Sequence, residues 1–321
     1  MSLSYEYSVG SVRAREKSLL TGTDVEQLLA CKSESELCSV LRDKGYGEGD
    51  SVDEILADHA EKTWEYLRSV APDFEIFSPF FVGNDIHNLK VVLKGTMSAR
   101  KYEHLLLKPA DIDTDILVKA VENRRFSQLP EWLAGDAEKA CELLLHKGDA
   151  RESDALIDAA AMKHMLELSK SYKSEFLQEY FRTLVFYNNI KIAVRSANTR
   201  VTANFLSSAL CEVKDFRKKT VTDAVLKGNL LDELSKFREY DCDKAMEEFK
   251  KSPSDFERFV DNKLILLAKD CCKRASEGAE PLLGYYLACE AEKKIIHIIA
   301  SGLRTDTPKE KIRERLREIY G

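Results

Sequence analysis

Apolar residues recur along this chain at intervals of three and four, the spacing of one face of an α-helix. Val82, Ile86, Leu89 and Leu93 share such a face, and so do Ala291, Ile295, Ile298 and Gly302. No stretch alternates apolar and polar positions as a half-buried strand would. Helix-start signals are frequent. Thr23-x-x-Glu26 has the form of a capping box, and Ser252-Pro253 and Thr307-Pro308 each set a proline at a first helical position. Breaks are signalled at 45–50 (GYGEGD), 106–111 (LLKPAD) and 277–281 (EGAEP). The pattern predicts an all-α chain.

One helical phrase occurs three times. It reads DIHNLKVVLKG at 85–95, FYNNIKIAVRS at 186–196 and EKKIIHIIASG at 292–302, so that Lys90, Lys191 and His297 share a column, as do Gly95, Ser196 and Gly302. A second phrase precedes each copy: two acids one turn apart around an apolar residue, Glu54/Asp58, Asp154/Asp158 and Glu257/Asp261. The second acid lies 37, 38 and 41 residues before the end of the helical phrase. Two phrases in fixed order and spacing predict three homologous helical units, roughly 23–95, 111–196 and 215–302. A first helix (about 5–20) and a last one (about 307–320) flank them. Domain boundaries follow at 1–105, 106–205 and 206–321. A period near 100 exceeds the 20–50 residues of ordinary solenoid repeats. Each unit should therefore hold three or four helices, and three such units suit a pseudo-threefold arrangement, closed as a ring or funnel.

Composition narrows the function. The chain has 321 residues, 44% of them hydrophobic and 32% charged, with 49 basic and 55 acidic residues for a net charge of −6. That balance opposes nucleic-acid binding, which needs a basic footprint to displace phosphate counterions. No apolar run approaches the roughly 20 residues needed to span a bilayer, and the first twenty residues lack the apolar stretch of a secretory signal. The eight cysteines show no C-x-x-C spacing, and Cys271 and Cys272 are adjacent. They read as reduced, mostly buried thiols of a cytoplasmic protein.

Candidate chemistry is sparse. There is no phosphate-binding glycine loop and no H-E-x-x-H pair. The six histidines (59, 87, 104, 146, 164 and 297) are scattered rather than spaced as zinc ligands. Asp111, Asp113, Asp115 and Glu122 stand at calcium-loop positions, but Ile116 occupies the position that requires glycine, so they read as acids at a helix N-terminus. Asp53, Glu54 and Asp58 look faintly like the Mg²⁺-binding cluster of all-α prenyl-transferring enzymes, yet a single active site would not demand three copies of the acid pair. No catalytic residue, cofactor or metal site is expected.

Three stretches carry a family resemblance: YEYSVGSVRAREKSLL near the start, GNDIHNLKVVLKG at 83–95, and the last forty residues from PLLGYYLACEAEKK to IRERLREIYG. Together they resemble the C subunit of the V-type (A/V-type) rotary ATPases of bacteria and archaea, whose eukaryotic counterpart bears the letter d. The resemblance runs from about residue 5 to 321 and is most specific at the end, where Pro281, Glu290, Glu292 and Gly302 all fit. It departs at Ile295-Ile296-His297, where relatives often carry asparagine, isoleucine and arginine. The resemblance implies an all-helical, funnel-shaped protein of three similar units about a pseudo-threefold axis, without a nucleotide site. It implies a non-catalytic socket on the cytoplasmic side of the membrane rotor ring, holding the tip of the central stalk and passing torque during ATP-coupled H⁺ or Na⁺ transport.

Lys90, Lys94, Lys191, Arg195 and His297 are then candidate contacts to stalk or ring, or else solvated charges opposite each helix's apolar face. Glu54, Asp58, Asp154, Asp158, Glu257, Asp261, Gly95 and Gly302 are expected to be structural parts of the repeat. Two other readings compete: a general helical-repeat protein-binding scaffold, and an all-α enzyme with metal at Asp53, Glu54 and Asp58.

Overall fold

The computed structural model describes residues 4–98, 101–199 and 201–321, which form α-helices, short 3₁₀ turns, one π turn at Leu143–Lys147 and loops, with no strand among them. After α1 (Tyr5–Arg15), the first repeat has two short helices, α2 (Gly22–Ala30) and α3 (Glu34–Asp43), then two long ones, α4 (Val52–Val70) and α5 (Ser78–Ser98). The second copies the order: α6 (Thr114–Glu122), α7 (Glu131–Glu142), α8 (Ala150–Ser171) and α9 (Glu175–Ala197). Following α10 (Ala203–Ala209), the third has short helices α11 (Lys218–Lys227), α12 (Leu230–Leu234) and α13 (Cys242–Lys251), and long ones α14 (Pro253–Cys272) and α15 (Glu280–Arg304). The last helix is α16 (Lys309–Arg315).

Local chemistry sets most helix starts. Ser33, Ser51, Asp113, Asp149, Ser174, Thr202 and Ser252 each accept a backbone N–H from the first turn, a bond that stabilises a helix by about 1 kcal/mol. The capping box of α2 lies two residues before the expected frame. Thr21 Oγ1 accepts from Asp24 N, and Asp24 Oδ2 accepts from Thr21 N, while Thr23 lies inside the helix. Both flanking helices are shorter than expected. α1 gives way to a tight turn at Glu16–Ser18. α16 stops at Arg315 because the tail finds other partners: Arg317 Nε binds Asp261 at 3.0 Å, Glu318 N donates to Asn262 Oδ1 at 2.9 Å, and Tyr320 is buried.

The chain groups into two compact bodies, Met1–Phe74 with Asp243–Gly321, and Glu75–Cys242. In the second body α5, the last helix of repeat one, packs on α6 and α8 of repeat two, and α9 packs on α11 and α12 of repeat three. In the first body α15, the last helix of repeat three, packs on α2, α3 and α4 of repeat one. The last helix of each repeat therefore completes the core of the next. Val82, Ile86, Leu89, Val92 and Leu93 of α5 join one cluster with Leu117, Ala120, Leu133, Ala137 and Ile157. Ile295, Ile296, Ile299 and Ala300 of α15 join another with Val25, Leu28, Leu37, Leu41 and Ile55. Burying each valine, leucine or isoleucine side chain contributes about 1.5–3 kcal/mol, so this handover from repeat to repeat is a main source of stability.

Candidate functional site

Between repeats one and two, the two repeated phrases prove to be partners. Lys90 Nζ bonds Asp158 Oδ1, and Lys94 Nζ meets Asp154 Oδ2 at 2.7 Å, so the helical phrase of repeat one carries the cations for the acid pair of repeat two. The sign complementarity follows the packing of α5 on α8. In repeat three, Asp261 is held by Lys294 at 2.6 Å and by Arg317 at 3.0 Å. On α9 Lys191 is half-buried and Arg195, one turn later, is exposed. Glu257 is exposed on α14.

His297 departs from its column. Its Nδ1 stands 3.4 Å from Asp53 Oδ1, rather than at an acid of the Glu54/Asp58 pair. Burial lowers the imidazole's pKa, and Asp53 only partly opposes this. The fixed cation for Asp53 is Arg304, at 3.0 Å, which also bonds Glu34. Arg304 was not singled out by the repeat, although it follows His297 by seven residues and so shares a helix face with it. Glu54 and Asp58 serve their own loop. Glu54 Oε2 accepts from Asp50 N at 2.8 Å, and Asp58 Oδ2 accepts from Glu48 N at 2.7 Å and from Lys62 at 2.8 Å. The Lys62 bond, with the Glu48 amide, holds the Asp58 carboxyl below its ordinary pKa.

Three further columns of the helical phrase have matched surroundings. The first is Asn88, Asn189 and Ile295. Asn88 donates to Leu107 O at 3.0 Å and accepts from Leu107 N at 2.7 Å. Asn189 does the same with Cys211, at 2.7 and 2.9 Å. One amide side chain thus satisfies both backbone groups of one residue in the connection to the following repeat. Ile295 can make neither bond and is instead buried in the apolar core.

The second column is Asp85, Phe186 and Glu292. Asp85 Oδ1 accepts from Ile112 N at 2.9 Å, and Glu292 Oε1 accepts from Leu20 N. Phe186 meets the ring of Phe216 edge-on, 5.8 Å between centroids. Leu20, Ile112 and Phe216 are equivalent: each immediately precedes the N-cap of the first helix of a repeat, Thr21, Asp113 and Arg217. Burial raises the Asp85 carboxyl to about 6 and the Glu292 carboxyl to about 7. Tyr46 also donates its hydroxyl to Glu292.

The third is Gly95, Ser196 and Gly302, where neighbours come too close for a larger side chain. A Cβ on Gly95 would stand 2.1 Å from the Tyr102 ring, and one on Gly302 would stand 2.3 Å from Ile312 Cδ1. Ser196 is buried.

What this arrangement offers is shape and fixed charge. Among the described residues, no three His, Cys, Asp or Glu side chains converge as metal ligands, and no helix is long and apolar enough to cross a membrane. The acids at 53–58 are engaged by separate backbone amides and cations.

Comparison with known proteins gives a consistent result. The sequence model of the family described as ATP synthase (C/AC39) subunit matches residues 8–315. The chain is also 21% identical over 322 residues to the C subunit of the V-type sodium ATPase of Enterococcus hirae, covering 96% of this chain and 97% of that protein.

Proposed function

Because the chain belongs to the ATP synthase (C/AC39) subunit family, we propose that it is the non-catalytic socket of a V-type ATPase, linking the central stalk to the membrane rotor ring. The observation that carries this reading is the extent of the match: 8–315 includes all three repeats and their connections, so the family relationship concerns the assembled architecture and not one motif. Torque transmission needs a body that does not yield between its contacts. The handover of core from α5 to repeat two and from α15 to repeat one supports that demand. In this proposal the protein works at the cytoplasmic face, without its own membrane span.

The five candidate contact residues divide within this reading. Lys90 and Lys94 are engaged by Asp158 and Asp154, so they would shape a contact surface from behind. Arg195, exposed on α9, is the member best placed to meet a partner directly, where charge would set orientation more than affinity. The test is reconstitution: the isolated chain should hydrolyse no ATP, and it should be retained by both purified central-stalk subunits and purified rotor ring. Retention by neither would end the proposal.

A further inference from the structure

The three junctions between repeats are built alike but joined differently. Asp85 and Ile112 stand 27 positions apart along the chain, and Phe186 and Phe216 lie in the same relation across α10. Glu292 and Leu20 are 272 residues apart, so no local chain ties them. Gly321 lies so near Leu20 that a Cβ on it would stand 2.6 Å from the Leu20 carbonyl oxygen. We propose that Glu292 is the latch of this seam: through Leu20 and Tyr46 it holds the last repeat on the first, and the seam loosens when its carboxyl group loses its proton.

The latch is sealed from water. Glu292 and Tyr46 are each 3% exposed and Leu20 is 1% exposed. As a neutral acid, Glu292 accepts from Leu20 N and shares a proton with the Tyr46 hydroxyl, with no charge buried. As a carboxylate it has the same two partners and, among the described residues, no cation bonded to it, and burying an uncompensated charge is costly. The elements around α15 add little relief. From α2 comes Asp24, ion-paired at 2.5 Å with Lys44 at the end of α3, and its charge raises the Glu292 carboxyl further. From α4 comes His59, stacked 4.6 Å from Tyr46, whose imidazole burial pushes down to about 4. α15 itself carries Cys289, whose thiol is raised, chiefly by burial, and Lys293. α1 brings Arg15, set over the Tyr66 ring; α14 brings Asp261, bound by Lys294 and Arg317; α16 brings Arg313, paired with Glu26.

The direction of the effect follows from linkage. The closed seam holds the proton with a value of about 7, against an ordinary 4.5. Closure is therefore tightest below pH 4.5, weakens as pH rises toward 7 and levels off above it. For those two values the opening constant rises about 70-fold between pH 5 and pH 8.

Hydrogen exchange of the full chain reads this directly. Peptides covering Leu20, corrected for intrinsic exchange, should lose protection by a factor of this order between pH 5 and pH 8. In Glu292→Gln, which keeps an acceptor for Leu20 and a donor for Tyr46, protection should be nearly independent of pH. A wild-type profile that is flat over this range, or a Glu292→Gln profile that falls as steeply as wild type, overturns the proposal. Because the measurement uses the chain alone, failure to bind stalk or ring leaves it untouched.

Discussion

Replacing Gly302 by alanine puts two effects of comparable size in opposition. Gly302 lies inside α15, where alanine is favoured over glycine by about 1 kcal/mol. Its new Cβ, however, would stand 2.3 Å from Ile312 Cδ1 and 2.6 Å from Ile312 Cγ1. Ile312 is 3% exposed and belongs to the core shared by repeat one and α15, so its side chain has little free space to swing into. Forcing a methyl group into such packing costs about 1–3 kcal/mol. Gly83 supplies the control: it also lies in a long helix, α5, but a Cβ there meets nothing within 4 Å. Gly83→Ala should therefore gain about 1 kcal/mol, and the two alanine variants should differ by the clash alone, about 1–3 kcal/mol. Denaturant midpoints of the two variants, with exchange across 305–316 to follow α16, provide the assay. A second substitution sharpens it. Ile312→Ala should be milder in the Gly302→Ala background than alone, because the new methyl group partly fills the hole. Equal gains from both glycine replacements, or strict additivity with Ile312→Ala, would refute the packing argument.

The other columns yield their own outcomes. Asn189→Ala leaves the backbone N–H and C=O of buried Cys211 without their partner and should cost about 2–3 kcal/mol, more than Asn88→Ala, whose partner Leu107 is exposed; urea titration ranks them. Restoring the absent asparagine with Ile295→Asn should destabilise by at least about 2 kcal/mol, since the site is now fully apolar. Lys90 and Asp158 are partly exposed, so a double-mutant cycle should give a coupling of about 0.5–1 kcal/mol that fades in high salt. Asp85 is held at about 6, above its ordinary 3.8, so its contribution is full below pH 3.8 and is lost as pH rises through 6. Asp85→Asn should accordingly gain stability relative to wild type between pH 4 and pH 7, by up to about 3 kcal/mol, as read by thermal melts across that range.

Much of this was legible in the sequence, and the parts that were not have physical reasons. Helical spacing gave α5 and α15, and the recurrence of two phrases marked the repeats. Which phrase meets which could not be read, because periodicity along a chain does not say that α5 leaves its own repeat to pack on α8. The Asn88 and Asn189 bonds end in loops 19 and 22 residues away, beyond any local pattern. Two overlapping box patterns competed at α2, and the frame with Leu20 buried before the cap prevailed. The basic and acidic run after Lys309 reads as continuing helix, but Asp261 and Asn262 claim its later residues. Glu292 was visible only as an acid beside apolar residues; its role needed the partner segments in place.

The difference among Asp85, Phe186 and Glu292 also bears on how a triplicated chain finds its own arrangement. Three near-copies risk docking a long helix on the wrong neighbour while still burying apolar surface. Phe186 cannot accept an N–H, so set against Leu20 or Ile112 it would strand a backbone donor. Asp85 or Glu292 set against Phe216 would face an aromatic ring in place of an amide, and a carboxylate buried without a donor costs several kcal/mol. The Phe186–Phe216 junction thus carries its own address, and exchanging its long helix with either of the other two is penalised.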